Sequence, residues 1–428
     1  MRTVYMQEKT VQNKQADVCV IGGGASGMMA ALYAARSGAE TILLEKNEKL
    51  GKKVYITGKG RCNVTNNCPD MDTFLQEVPR NPRFLFSALR FFSPQDLMSL
   101  LEETGCPLKT ERGRRVFPQS DKASDITKTL EKGIRSAGCK ILLNSAVQRI
   151  APDENGLWHV SLDNGTVIEC RSVVVCTGGL SYPSTGSTGD GYRFAEEAGL
   201  SVIPCCPSLT GIDIAEAWPK SLSGLSLKNI EISAKMQGKE IFHEQGEMLF
   251  THYGISGPLV LDLSSTLSGH DLTGTEISID MKPALSEQQL DERLTREIKL
   301  NGAGELNRIY RGLLPSSMAD LFPQITGVDG SIKCAQVSTQ NRQSIILTLK
   351  QLHLTPLSLR SYSEAIITRG GVSVKEISPS TMMSKMVPGL FFAGEVLDVD
   401  AHTGGYNLQI AFSTGALAGK CAAEFSTE

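Results

Sequence analysis

Residues 17–31 read Asp17-Val18-Cys19-Val20-Ile21-Gly22-Gly23-Gly24-Ala25-Ser26-Gly27-Met28-Met29-Ala30-Ala31. The first five form a short apolar run, which is the pattern of a buried strand. Three glycines end it. An Ala-, Met- and Leu-rich stretch over 25–37 then predicts a helix, closed by Gly38. ETILLE over 40–45 predicts a second strand, so the chain opens with a β-α-β unit and a parallel sheet.

Within this unit Gly22-x-Gly24-x-x-Gly27 sits between strand and helix, where each glycine has a physical task. Gly22 permits a tight turn, Gly24 lets backbone approach a pyrophosphate, and Gly27 allows close helix–strand packing. Ala25, Ser26 and Gly27 open the helix, whose free N–H groups and partial positive charge suit phosphates. Glu45 ends the second strand, 21 residues after Gly24, and its carboxylate suits ribose hydroxyls while repelling a 2′-phosphate. Lys46 follows and is grouped with it. NAD and FAD both use such a unit. Two later segments favour FAD. VVVCTGG at 173–179 is an apolar strand that returns toward the dinucleotide, ending in Thr177, Gly178 and Gly179. PGLFFAGEVLD at 388–398 is another, followed by Gly394, Glu395 and Asp398.

Further along, 50–67 reads as a Gly- and Lys-rich loop. Residues 81–140 read as mostly helical, interrupted by RGRRVFP at 112–118. Strand patterns follow over 140–150 and 157–176, with Asp163-Asn164-Gly165 as a hairpin turn. Residues 200–282 read as β-rich, 285–325 as helical, and the chain closes in a helix over 408–424.

Composition excludes several classes. Lys and Arg total 43 against 46 Asp and Glu, a formal net charge of −3 with no overall electrostatic footprint for nucleic acid or anionic membrane. No apolar run approaches the ~18 residues of a membrane span. The first 16 residues are polar and lack the apolar core of a secretory signal, and Met6 is an alternative start. Eleven cysteines without a C-x-x-C suit a reducing compartment, so a cytoplasmic location is expected. No His/Cys/Asp cluster has metal-ligand spacing, so no metal is expected.

The chain resembles the HI0933-like family of flavoproteins, within the glutathione-reductase-type FAD superfamily. The resemblance rests on VIGGGASGMMAA at 20–31, TGKGRCNVTN at 57–66, GGLSYPSTGSTGDGY at 178–192, FTHYGISGPLVLDLS at 250–264 and FFAGEVLDVDAHTGGYNLQIAFSTG at 391–415. One position departs, Ala401 standing where the pattern has Gly. The resemblance implies an α/β FAD-binding Rossmann-like domain over 1–195 and 362–428. It also implies an inserted β-barrel-like domain over 196–283 and 335–361, and a small helical domain over 284–334. It further implies that the loop bearing Lys53, Gly58, Gly60, Arg61, Cys62, Asn63, Thr65 and Asn66 runs toward the flavin, and that the backbone at Val147 meets adenine. Gly404, Gly405, Tyr406 and Asn407 precede the last helix, whose N-terminus suits the pyrimidine edge of a reduced flavin.

His402 and Tyr406 are the leading acid–base candidates, with His252 and Tyr253 behind them. Cys62 and Cys68 are spaced unlike the paired cysteines of disulfide reductases, and no second G-x-G-x-x-G is present. The expected activity is therefore that of an FAD-dependent oxidoreductase passing hydride between flavin and a small organic substrate held between the FAD and middle domains. NAD(P)H would be a transient donor, and an unsaturated, steroid-like compound is among the acceptors the resemblance implies. Two alternatives stay open: an oxygen-dependent amine oxidase, and a flavin-containing nucleic-acid-binding or regulatory protein with a basic patch at Arg112, Arg114 and Arg115.

Overall fold

The structure is a computed structural model, and it describes residues 13–427. Met6 lies outside them. The chain divides into two compact units, Met1–Pro207 with Ile366–Glu428, and Ser208–Ala365.

The first unit is built on a seven-stranded sheet. Lys140–Leu142, Thr41–Leu44, Asn13–Ile21 and Val167–Val175 lie side by side and parallel. Val167–Val175 then serves two partners. Its first half carries the antiparallel strands Trp158–Leu162 and Val147–Pro152, and its second half pairs in parallel with Leu390–Phe392. The expected Asp163-Asn164-Gly165 hairpin joins two of these strands, with the Gly165 N–H donating to the Leu162 carbonyl at 3.1 Å. The segment 140–150 is two strands at opposite edges of the sheet, not one pair.

Helix Ala25–Arg36 is buried along most of its length, which is why it is made of Ala, Met and Leu without a polar stripe. The closing helix, Tyr406–Thr427, is longer than 408–424 and packs directly on it. The supposed loop 50–67 holds a helix, Lys52–Ile56, and a short strand, Thr65–Asn66. Two contacts hold that helix in place: the Gly51 N–H donates to the Gly23 carbonyl at 2.8 Å, and Val54 is buried.

In the second unit, seven strands form an antiparallel sheet. One stretch supplies both edges. Leu352–Leu354 pairs with Thr275–Asp280, and Pro356–Leu359 pairs with Ile212–Ile214, so the sheet curls round on itself. Helices Glu287–Leu300, Asn307–Leu313, Ser316–Thr326 and Thr339–Lys350 share one apolar core with that sheet, centred on Phe250, Tyr310 and Phe322. Among the described residues no helix is long and apolar enough to cross a membrane.

Candidate functional site

Strand register brings the site together. Ile21 lies opposite both Leu44 and Val175, and Phe392 is also opposite Val175. The residues that follow, Gly22, Glu45 and Cys176, therefore come level at the carboxyl ends of adjacent parallel strands, where open α/β sheets bind ligands. A cavity with about 1290 Å³ of empty space opens there. Its lining includes Gly22, Gly24, Ala25, Ser26, Glu45, Lys46, Lys53, Val147, Thr177, Gly178, Glu395 and Asn407, all named from the sequence.

The three motif glycines differ in what constrains them. Gly22 has φ +101°, and a Cβ there would stand 2.5 Å from the Cys176 carbonyl oxygen. A Cβ on Gly27 would stand 1.7 Å from the Gly22 carbonyl oxygen, so this glycine sets how closely helix and turn pack. A Cβ on Gly24 would meet nothing within 4 Å, and this residue lines the cavity as the helix N-cap. Gly24 thus adds no side chain of its own in front of the helix N–H groups that suit a phosphate.

Glu45 is buried, yet its carboxylate is well satisfied. Oε2 accepts from the Gly23 N–H at 2.7 Å, and Oε1 accepts from the Asn47 N–H at 2.8 Å and from Asn47 Nδ2 at 2.6 Å. A carboxylate has about four acceptor sites, so one remains for a ribose hydroxyl. Accepting from both hydroxyls requires Asn47 Nδ2 to rely on its second acceptor, the Thr185 carbonyl at 3.0 Å. Thr177 adds a buried hydroxyl oxygen at the cavity wall with no hydrogen-bond partner among the described residues. Open backbone N–H groups, a buried carboxylate and an unsatisfied hydroxyl together fit the pyrophosphate and ribose of a dinucleotide.

The lysines of the wall are engaged with acids. Lys46 Nζ is 2.7 Å from Asp190, and Lys53 Nζ is 2.6 Å from Glu395, whose other oxygen accepts from the Thr368 N–H at 2.8 Å. Phosphate charge is thus left to the helix N-terminus. Arg61 is not in the cavity lining. Its guanidinium meets Glu111 and Asp121 and lies 4.1 Å from the centre of the Phe117 ring. Asp398 is also elsewhere, in a two-point ion pair with Arg80 at 2.5 and 3.0 Å.

The rest of the sequence-named loop does not line the cavity. Gly58, Lys59, Gly60 and Cys62 all have positive φ, a tight coil. Asn63 Oδ1 is buried without a hydrogen-bond partner among the described residues. Thr65 Oγ1 donates to Gln409 Oε1 at 2.7 Å. Asn66 Nδ2 donates to the Gly113 carbonyl at 3.0 Å and to the Gly404 carbonyl at 3.1 Å. Gly405, with φ +102°, lies against Thr65, where a Cβ would stand 2.5 Å from the carbonyl oxygen. Gly179 packs on Thr368 and Gly394 on Ser26.

Tyr406 and His402 do not line the cavity. Tyr406 is buried edge-on against Phe74 at 5.2 Å, and burial pushes its hydroxyl well above the ordinary phenol value. His402 Nδ1 lies 3.4 Å from Glu77 Oε2, and its backbone N–H donates to the Glu77 carbonyl at 2.9 Å. Asn407 holds this loop by donating from Nδ2 to the Ala401 carbonyl at 2.7 Å and accepting at Oδ1 from the Ala401 N–H at 2.9 Å. Ala401 is fully buried there. His252 and Tyr253 belong to the second unit, ring on ring at 5.0 Å.

Cys62 is buried, and desolvation pushes its thiol up to about 12. It is therefore a packing residue without thiolate character.

Sequence reasoning missed Asn47, Ser145, Thr185, Gly186, Ser187, Asp190 and Thr368, all in the lining. Asn47, two residues past Glu45, and Thr185, Gly186, Ser187 and Asp190, inside the motif at 178–192, carried a visible signal; Ser145 and Thr368 carried none.

A family model described as HI0933-like protein Rossmann domain matches residues 16–421. The chain is 32% identical over 400 residues to the ribosomal RNA dihydrouridine synthase of Escherichia coli (strain K12), covering 93% of this chain and 96% of that protein. It is 29% identical over 409 residues to the 3-dehydro-bile acid delta(4,6)-reductase of Clostridium scindens, covering 95% and 98%. Among solved structures, the 3-ketosteroid delta1-dehydrogenase from Sterolibacterium denitrificans in complex with 1,4-androstadiene-3,17-dione shares the fold with a TM-score of 0.52, at 13% identity, over 96% of this chain and 99% of that one.

Proposed function

Because the chain belongs to the HI0933-like family of FAD-dependent flavoproteins, we propose that it is an FAD-dependent reductase of a carbon–carbon double bond conjugated to a carbonyl. Two relatives similar along nearly their whole length support this choice of chemistry. Dihydrouridine is uridine with two hydrogens added across a ring double bond beside a carbonyl, and a 3-dehydro-bile acid delta(4,6)-reductase takes a 3-keto substrate with conjugated unsaturation. In both, the carbonyl makes the distal alkene carbon electron-poor, so hydride adds there and a proton adds to its neighbour. Uracil within RNA is the first substrate class to test, and a steroid-like enone the second.

The single structural observation behind the reading is the cavity at the carboxyl ends of the parallel strands, with Gly24 bare and Glu45 beside it. The turn at Gly22–Gly24 and the N–H groups opening helix Ala25–Arg36 would hold the pyrophosphate, Glu45 a ribose hydroxyl, and the backbone at Val147 the adenine. Asn407 braces the loop before the last helix, and the Lys53–Glu395 pair stiffens the opposite wall. When bound, FAD supplies hydride acceptance and donation, and the protein supplies position and charge. One dinucleotide motif is present, so NAD(P)H would visit the same face as substrate, in two separate half-reactions.

Acid release and chromatography of the purified protein should yield FAD, and Gly24→Val, which fills the bare approach, should lose it. Anaerobic NADH or NADPH should bleach the flavin, and uridine-containing RNA or a 3-keto-4-ene steroid should restore its colour. Recovery of FMN would defeat the cofactor reading. Bleaching by amines but by neither nicotinamide would replace the reductase with the oxidase.

A further inference from the structure

The hairpin made of Leu108–Thr110 and Arg115–Pro118 pairs with the short strand Thr65–Asn66, so it is part of the first unit. Five cations gather on it and on the adjoining loop: Arg61, Lys109, Arg112, Arg114 and Arg115. Glu111 and Asp121 are the opposing carboxylates, and Arg61 and Lys109 neutralise them at contact distance. Arg112, Arg114 and Arg115 remain, all exposed, and none has an ion-pair partner among the described residues. Asp70 senses Arg114 from beyond contact, its carboxylate accepting from the Thr73 N–H. With Asp70 counted beside Glu111 and Asp121, the local excess is two positive charges, which the near-zero net charge of the chain conceals.

The turn that carries them is fixed. Gly113 and Arg114 are both left-handed, at φ +74° and +59°. That conformation is costly for a residue with a Cβ, and the surrounding bonds hold it. The Asn67 N–H donates to the Arg114 carbonyl and the Glu111 N–H to the Arg115 carbonyl, each at 2.8 Å. Arg115 Nε donates to the Arg112 carbonyl at 3.0 Å. Asn66 Nδ2 bonds both the Gly113 carbonyl and the Gly404 carbonyl, so one side chain ties the basic turn to the glycine pair that precedes the last helix.

We propose that Arg112, Arg114 and Arg115 grip the phosphate backbone of a single-stranded RNA substrate. The inference rests on the RNA arm of the reading above. Guanidinium groups are planar forks that bond phosphate oxygens two at a time, and a rigid turn presents them without the ordering cost of a mobile loop. Contacts to the backbone place an RNA; they do not read its sequence.

The test uses the FAD-loaded protein and a fluorescent uridine-rich single-stranded RNA, followed by anisotropy across a salt series. Three neutralised phosphates predict a slope of log K against log salt of about −2. The triple variant Arg112→Ala/Arg114→Ala/Arg115→Ala should flatten that slope toward zero and weaken binding about tenfold or more at low salt. Flavin absorbance per chain verifies that the variant is folded, and Arg114→Lys should retain most of the slope. RNA binding with an unchanged slope in the folded triple variant overturns the assignment to this turn while leaving the RNA reading standing. No RNA binding by the wild type, with reoxidation by an enone, overturns the RNA reading itself. Binding to phosphatidylglycerol vesicles but not to RNA makes the patch a membrane contact and overturns the proposal.

Discussion

Gly415 leaves no room for a methyl group beside Ser26: a Cβ at 415 would stand 2.2 Å from the Ser26 carbonyl oxygen. One turn on, a Cβ at Gly419 would stand 2.1 Å from the Ala30 carbonyl oxygen. The last helix thus lies backbone to backbone on the first, whose opening residues line the cavity, and any push at 415 is transmitted to the proposed phosphate site.

Gly415→Ala is expected to destabilise the protein by about 1–3 kcal/mol, because the gain in helix propensity is outweighed by a clash with backbone that cannot swing aside. Gly133→Ala is the control. There a Cβ would meet only Leu32 side-chain carbons at 3.7 Å or beyond, so propensity prevails and a gain of about 0.5–1 kcal/mol is expected. Urea unfolding of both variants measures the pair, and a shift of the same sign in both would contradict the packing account.

Glu45→Ala should weaken FAD binding by about 1.5–3 kcal/mol, since it removes a charged acceptor and also releases the Gly23 N–H. The midpoint potential should stay put, because the adenosine ribose is remote from the ring. Flavin titration followed by potentiometry checks both halves; a large potential shift with unchanged affinity would place Glu45 elsewhere.

Asp400 gives a pH-dependent expectation. It is buried with both carboxylate oxygens lacking a hydrogen-bond partner among the described residues, and desolvation holds its carboxyl above the usual carboxylate range. Arg369, Arg80 and His402 oppose that rise, and Asp398 reinforces it. The folded state therefore prefers the protonated acid. Its contribution to stability is complete below the ordinary carboxylate value of about 4 and is lost as pH rises through the elevated one. Asp400→Asn should remove that loss, so its advantage in Tm over wild type should grow as pH is raised through this window. An advantage that shrinks with rising pH would mean that the buried acid is stabilised as the anion.

Cys62→Ser should leave flavin reduction by NAD(P)H intact, since the Cys62 thiol, pushed up to about 12, has no thiolate to relay electrons. In the native protein Cys62 should resist iodoacetamide near neutral pH and react only on unfolding. Rapid native labelling, or a variant that keeps FAD but cannot be reduced, would restore a role for it.

The dinucleotide turn was legible because its constraints are local. Gly22, Gly24 and Gly27 act within one strand–turn–helix, and Glu45 ends the adjacent strand of the same unit, so spacing alone carries their geometry. The alternating and helical stretches of the middle unit were readable for the same reason, since periodicity records which face is buried. The tertiary structure decided which polar residues reach the cavity. Lys53 and Glu395 pair across 342 residues of sequence, whereas Arg61, only eight residues past Lys53, is turned to Glu111 and Asp121. Tyr406 opens the last helix directly after the glycine pair the sequence singled out, yet it packs on Phe74, while the left-handed Gly405 lies against Thr65. A charged or aromatic side chain in a loop has several partners within reach, and its final one depends on elements brought together only when the sheet closes; a glycine forced by a backbone contact within its own turn has no such choice.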